Sequence, residues 1–185
     1  MTQFSAASSE RIEPVKLFAA VLYREEPLLE QARKLLSDVF GPEDHVSRPV
    51  LFEHTGYYRE EMGEPLFRIF ISYSSLVHPQ YLVTAKLEAH RIEQELADSG
   101  ARRQVNIDPG VLDYLKVVLA SFKYQAQKIY LDRGVWADLI LYYRKGGWAR
   151  FEWTFPDFKA GLYDRTLLEI RRIYKRQRLQ SESTE

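Results

Sequence analysis

One segment of the chain concentrates side chains that can transfer protons or bind a ligand. Residues 53–63 carry one imidazole, two phenols and three carboxylates. A histidine or carboxylate can act as a general base, a carboxylate pair can hold a metal ion, and phenols can hydrogen-bond a ligand. The same composition is typical of a solvated connection between two strands. Both interpretations stand, although loops carry functional residues more often than other segments do.

A second candidate segment runs from Asn106 to Gly110, at the end of a short predicted strand. Asp-Pro-Gly predicts a turn, because proline presets φ at one position and glycine accepts a positive φ at the next. If Asn106 and Asp108 point into a crevice, Asp108 can bind a metal or act as a base. In the alternative interpretation, both side chains hydrogen-bond the backbone of the turn.

A third candidate segment, Lys123 to Tyr130, places two lysines and two tyrosines around a predicted turn. A lysine in a crevice can neutralise a phosphate or carboxylate group. A helix or strand end lined with lysine is more often only a solvated edge that discourages aggregation.

Together the three segments form one site hypothesis. Three carboxylates would act as a base or as Mg²⁺ ligands: Glu60, Glu61 and Asp108. Six side chains would bind an anionic small molecule, such as a nucleotide or phosphorylated metabolite: His54, Tyr57, Tyr58, Asn106, Lys123 and Lys128. Whether the protein is an enzyme, and whether the segments meet in space, both stay open at this point.

Hydrophobic periodicity predicts the elements that must position these residues. The first part alternates as strand, helix, strand, strand, helix and strand: Val15–Tyr23, Leu28–Phe40, Arg48–His54, Leu66–Tyr73, Leu82–Leu96 and Gln104–Ile107. This βαββαβ order is that of a ferredoxin-like fold, in which two helices cover one face of an antiparallel sheet.

The second part of the chain predicts an extension of that sheet. Leu112–Phe122 is a helix by period and a strand by composition, and both assignments stay open. The remaining predicted elements are a hairpin, a further strand and a last helix: Lys128–Leu131 with Val135–Tyr143, Trp148–Trp153, and Asp157–Arg178. We therefore expect an α+β fold with a ferredoxin-like first part, a β-hairpin extension and a C-terminal helix.

Length and composition restrict the classes of protein that fit. The 185 residues suit one domain, which we place at 15–178 between a flexible leader at 1–14 and a polar tail at 179–185. The absence of cysteine excludes disulfides and thiol chemistry. Neither a phosphate-binding loop nor a dinucleotide-binding glycine motif occurs. No signal peptide or membrane-length apolar run is visible, so we expect a cytoplasmic protein without membrane contact.

The charge distribution suggests an alternative function. Residues 1–100 contain 10 basic and 16 acidic side chains, whereas residues 101–185 contain 16 and 10. Complementary patches steer association, so the chain can also be a non-catalytic interaction module or a homodimer formed through a sheet edge. The net charge of zero argues against nucleic-acid binding.

Four motifs, taken together and in order, resemble a known family. They are Thr55-x-Tyr57-Tyr58-x-Glu60-Glu61-Met62-Gly63, Val105-Asn106-Ile107-Asp108-Pro109-Gly110, Lys128-Ile129-Tyr130-Leu131 and Trp153-Thr154-x-Pro156-Asp157. With these motifs the chain resembles the bacterial and archaeal family called domain of unknown function DUF4416, from Pro14 to about Tyr174. The resemblance implies a bacterial-type protein and points to no particular activity.

Overall fold

The fold is built around an apolar strand, β1 (Val15–Tyr23), all nine residues of which are buried. The structure is a computed structural model that describes residues 12–53 and 58–182, without the side chains of residues 59, 60 and 182. Strand β1 has neighbouring strands on both sides and helices on both faces, so neither set of its alternating side chains meets water. This explains why its sequence is continuously apolar instead of alternating.

The described residues contain nine strands and five helices. In chain order, the elements after β1 are α1 (Glu26–Phe40), β2 (Glu43–Val46), β3 (Val50–Leu51), α2 (Arg59–Met62), β4 (Phe67–Val77), α3 (Tyr81–Glu95), β5 (Val105–Leu112), β6 (Lys116–Ser121), β7 (Ile129–Asp132), β8 (Val135–Arg144), β9 (Gly147–Arg150), α4 (Pro156–Lys159) and α5 (Asp164–Glu182).

All the strand pairs are antiparallel, and the strands follow the spatial order β2-β4-β1-β5-β6-β8-β7. The short strands β3 and β9 pair with β4 and β8. The first four positions have the ferredoxin-like order, since β4 lies between β1 and the strand that follows α1. The predicted α+β class, the antiparallel sheet and the C-terminal helix are confirmed.

The two faces of the sheet carry separate cores. Leu17, Ala19 and Val21 of β1 pack beneath α1 and α3. Phe18 and Ala20, which point to the opposite face, belong to the core beneath α5. The long helices α1, α3 and α5 each contribute one apolar stripe, as an amphipathic surface helix does. The sheet is thus a middle layer between α1 and α3 on one face and α5 on the other. Because both faces are covered, polar side chains can gather only at the ends of the sheet or in a gap between strands.

The prediction of a turn at Asp108-Pro109-Gly110 was wrong, because β5 continues through these residues in register with β1. Glycine is required here by close packing, not by a positive φ. A Cβ atom on Gly110 would lie 2.4 Å from Phe18 Cζ and 2.8 Å from the Val118 carbonyl oxygen. The glycine thus lets β5 fit between an aromatic ring and the backbone of β6.

Other boundaries also differ from the predictions. The ambiguous Leu112–Phe122 segment contains strand β6, because the buried side chains of Val117 and Leu119 alternate with more exposed ones. The predicted strand at Arg48–His54 contains the short strand β3, but strand β2 before it was not predicted, and the last predicted residue lies outside the described residues. Trp148–Trp153 is a strand only up to Arg150, after which Thr154 Oγ1 accepts a hydrogen bond from the Phe151 backbone at 2.9 Å.

The predicted helix Asp157–Arg178 is two helices, α4 and α5, separated by a turn with Gly161 at φ 77°. Helix α5 continues to Glu182, into the segment predicted as a polar tail, whereas residues 1–11 of the predicted leader lie outside the described residues. Across residues 12–53 and 58–182, none of the helices has the length and apolar character needed to span a membrane.

Candidate functional site

The site begins where β5 and β6 separate. The two strands pair at Gly110, Val111 and Leu112, but at Ile107 side chains of α3 take the place of β6. The Ile107 N–H donates to Glu93 Oε1 at 2.5 Å, and its carbonyl accepts from Lys86 Nζ at 3.1 Å. Alternate residues of a strand direct their backbone groups to the same edge, so Pro109, two residues after Ile107, faces the edge of β5 that pairs with β6. A proline has no N–H to donate to that strand. The proline therefore lies where the two strands part.

A cavity of about 690 Å³ occupies this gap, a volume typical of small-molecule sites. Its described lining contains five cationic side chains: Arg68, Lys86, Arg103, Lys123 and Lys128. Four carboxylates also line it: Glu93, Asp108, Asp138 and Asp157. Such a concentration of charge beside the apolar cores is unusual, because buried charges need partners.

The three candidate segments from the sequence converge on this cavity. Tyr58, Asn106, Asp108, Lys123 and Lys128 all line it. Glu61 is hydrogen-bonded to Arg103 of the lining. His54, Tyr57 and the side chain of Glu60 lie outside the described residues. The convergence is a geometric fact, whereas the binding and catalytic roles of these residues stay predictions.

A chain of hydrogen bonds crosses one wall of the cavity. Arg103 donates to Glu61 Oε2 at 2.6 Å through Nη2 and to Asn106 Oδ1 at 2.7 Å through Nη1. Asn106 Nδ2 then donates to Asp108 Oδ2 at 2.8 Å, and Lys86 Nζ to Asp108 Oδ1 at 3.4 Å. Hydrogen bonds from Arg103 lower the pKa of Glu61. The contacts of Asn106 and Lys86, one with each carboxylate oxygen, set the orientation of the Asp108 side chain.

Helix α3 contributes a group that the sequence analysis missed: Lys86, His90 and Glu93. Glu93 is buried, and burial raises the pKa of its carboxyl group, with Lys86 acting in the opposite direction. His90 Nδ1 lies 3.6 Å from Glu93 Oε2, and its ring meets Phe122 edge-on. Positions 86, 90 and 93 follow helical spacing beside the apolar stripe, so the periodicity contained this signal.

Lys128 and Asp138 form a second ion pair inside the cavity. Lys128 directly precedes β7, and Asp138 lies on β8. Lys128 Nζ donates to Ser121 Oγ at 2.9 Å and lies 3.3 Å from Asp138 Oδ2. Burial raises the pKa of Asp138, against the attraction of Lys128. Asp138 Oδ1 is buried and has no hydrogen-bond partner in the described part of the chain. Asp138 is a single carboxylate within the mostly apolar strand β8, and this feature of the sequence indicated a polar pocket that was not predicted.

Arg68 and Asp157 form another buried ion pair of the site, with side chains 7% and 4% exposed. Tyr163 Oη also donates to Asp157 at 3.1 Å, and the Arg68 guanidinium lies 4.4 Å from the centroid of Phe52. Arg68 interrupts the apolar strand β4, where a lone charge needs a specific partner. That interruption is visible in the sequence, whereas the partner, 89 positions away, is not.

The metal hypothesis is left as a prediction. Within residues 12–53 and 58–182, no group of three or more histidine or carboxylate side chains is arranged to hold a metal ion. Glu61 is bonded to Arg103, and Asp108 to Asn106 and Lys86.

Fold and cavity together define the class of protein. It is an α+β protein with a ferredoxin-like sheet, in which strands β5 and β6 separate and leave a pocket lined by side chains of both charges. The chain belongs to the family described as domain of unknown function DUF4416, whose model matches residues 13–174. Comparison with the curated proteins and with the solved structures found no match to either.

Proposed function

We propose that the cavity binds a small molecule with an anionic group, of the size of a nucleotide or a phosphorylated metabolite. The observation that carries this proposal is the gathering of five cationic side chains around one cavity. Four carboxylates face them, but burial raises the pKa of Glu93 and Asp138 and so disfavours their negative forms. With five cations against four carboxylates, the lining carries a formal excess of positive charge, and the raised pKa values act in the same direction, which favours an anionic ligand.

The rest of the lining supports the same class of ligand. Phe52, Tyr58, Phe122 and Phe155 line the cavity and offer aromatic surfaces for a base or a sugar ring. Asp108, whose side chain is 25% exposed, offers acceptor oxygens to hydroxyl groups of the ligand. A phosphate-bearing molecule with a ring and hydroxyl groups satisfies all three kinds of side chain.

A catalytic role is a further step of the proposal. Asp108 is the carboxylate best placed to accept a proton from a bound hydroxyl group, since it lines the cavity and is partly exposed. Glu60 and Glu61, which the sequence hypothesis groups with Asp108 as bases or Mg²⁺ ligands, keep that proposed role. A ligand that carries Mg²⁺ would bring its own cation, so binding is to be tested with and without this ion.

A thermal-shift screen tests the binding proposal. Nucleotides, sugar phosphates and inorganic pyrophosphate are added in turn, with and without Mg²⁺. A ligand at 100 times its Kd stabilises the folded state by about 2.7 kcal/mol, so we expect a rise in Tm of about 5 °C or more for the preferred ligand. Unchanged Tm values across phosphate-bearing compounds would contradict the proposal.

A lysine variant localises the binding. Lys123→Gln removes one exposed cation from the lining, and we expect it to weaken the best ligand of the screen by about fivefold or more. Lys34→Gln on the exposed face of α1 removes the same charge far from the cavity lining and is the matched control. Equal weakening in both variants would show a general charge effect and not a site at the cavity.

A second candidate function, self-association, is favoured by strand β7 at the end of the sheet order. Its outer edge has no strand partner within the described residues, and Ile129 and Tyr130 are 70% and 53% exposed. An apolar edge strand pairs readily with another strand. A second copy of the chain, paired antiparallel along β7, would cover this edge.

Light scattering tests the association. We expect the protein to show a mass near twice 21.8 kDa at high concentration and Ile129→Lys to return it to 21.8 kDa, because a lysine cannot be buried in such an interface. Leu115→Lys changes an equally exposed apolar residue away from β7 and should leave the dimer intact. A monomer at high concentration in both low and high salt would contradict this candidate.

A further inference from the structure

The Glu61 carboxylate holds a position that suits the anionic group of a ligand. Arg103 contacts it with both arms of the guanidinium: Nη2 lies 2.6 Å from Oε2 and Nε lies 3.2 Å from Oε1. The backbone N–H of Arg103 adds a third contact to Oε1 at 3.4 Å. An arginine binds a phosphate or a free carboxylate through the same two-pronged arrangement.

Lys123 is a second cation of the same cavity lining. Its charge attracts Glu61 and helps to lower the pKa of that carboxyl group, after the larger effect of Arg103. Arg103 and Lys123 are also the accessible cations of the lining, since Arg68, Lys86 and Lys128 are buried. An incoming anion therefore meets first the two cations that Glu61 already contacts or attracts.

We propose that Glu61 is an internal competitor, which occupies the anion position on Arg103 until the anionic group of the ligand replaces it. This inference rests on the proposed function and adds a control device to it. A partly exposed ion pair contributes little to stability because water screens both charges, so a phosphate with two negative charges can displace one carboxylate. Displacement also removes an anchor that holds α2 against the start of β5.

Calorimetric titration with inorganic pyrophosphate tests the competition. Glu61→Gln keeps the size of the side chain but removes its charge, and we expect it to bind pyrophosphate about fivefold or more tightly than the unmodified protein. Glu95→Gln is the matched control, because Glu95 is half-exposed on α3 and pairs with Arg91 outside the cavity lining. The control should bind pyrophosphate with unchanged affinity.

The outcomes separate the inference from the function on which it rests. If the unmodified protein and Glu61→Gln bind with the same affinity, the competition is wrong and the binding site stands. Equal tightening in Glu95→Gln overturns the competition as well, because it shows a long-range charge effect. If no variant binds pyrophosphate and the thermal-shift screen also finds no ligand, the proposed function itself fails.

Hydrogen exchange in the unmodified protein gives a test that needs no variant to fold. Displacement of Glu61 should expose the backbone of α2, so saturating pyrophosphate should accelerate amide exchange at Glu61 and Met62. A structural ion pair that stays in place during binding would leave this exchange unchanged or slow it, and either result would overturn the proposal.

Discussion

Asp157→Asn is expected to lower the free energy of unfolding by about 3–5 kcal/mol, measured by urea denaturation. The substitution keeps the shape of the side chain and an acceptor for Tyr163, but it leaves the buried Arg68 guanidinium without its counter-charge. The cost arises from an uncompensated charge in a place that water does not reach, and not from the loss of one hydrogen bond.

Two comparisons identify the cause of that loss. Asp164→Asn removes the same charge from a second aspartate–arginine pair, with Arg150 at 2.5 Å, but both side chains are about one-third exposed, and we expect a cost of about 1 kcal/mol. Adding Arg68→Met to Asp157→Asn should recover part of the lost stability, because the unpaired charge is then removed. Equal costs for the two aspartate variants would contradict the assignment of Arg68–Asp157 as a buried pair.

Gly110→Ala is expected to destabilise the fold by about 3 kcal/mol, the upper range for inserting a methyl group into a packed core. The new Cβ would lie 2.4 Å from Phe18 Cζ and 2.8 Å from the backbone oxygen of Val118. The ring can turn only within a full core, and the backbone of β6 cannot move without losing its pairing to β5. Urea denaturation measures the loss, and weaker ligand binding should accompany it because the strands part beside this residue.

Gly147→Ala is the matched control for this prediction. Gly147 also lies in a strand, without a positive φ, and a Cβ atom there would have no neighbour within 4 Å. We expect a change in unfolding free energy of less than about 1 kcal/mol, in either direction. If Gly110→Ala were equally harmless, close packing would not be the reason for glycine in Asp-Pro-Gly.

The elements with a single strong pattern were predictable from the sequence. The continuous apolar run of β1 and the helical stripe of α1 gave boundaries close to those observed, because burial on two faces or on one leaves a distinct periodicity. Asp-Pro-Gly misled the prediction, since local turn preference was overridden by pairing of β5 with β1 and by the approach of Phe18. The break between α4 and α5 was missed although Gly161 marks it.

Within the site, the sequence predicted the residues that stand out locally and missed charged residues whose role depends on a partner in another element. Tyr58, Asp108 and Lys128 were selected from polar or aromatic segments, and they do line one cavity. Arg68 and Asp138 were missed because each is one charge inside an apolar strand. The partner of Arg68, Asp157, comes from a distant part of the chain, whereas the partner of Asp138, Lys128, comes from the same predicted hairpin.

By itself, the sequence determined the α+β class, the family and the absence of thiol chemistry, because composition, periodicity and local motifs are properties of short stretches of chain. Only the tertiary structure decided that β5 and β6 part at Pro109 and that three separate segments meet in the gap. It also decided that Glu61 lies against Arg103. Such contacts join residues tens of positions apart, and they follow from how strands pair and helices pack, which no local pattern records.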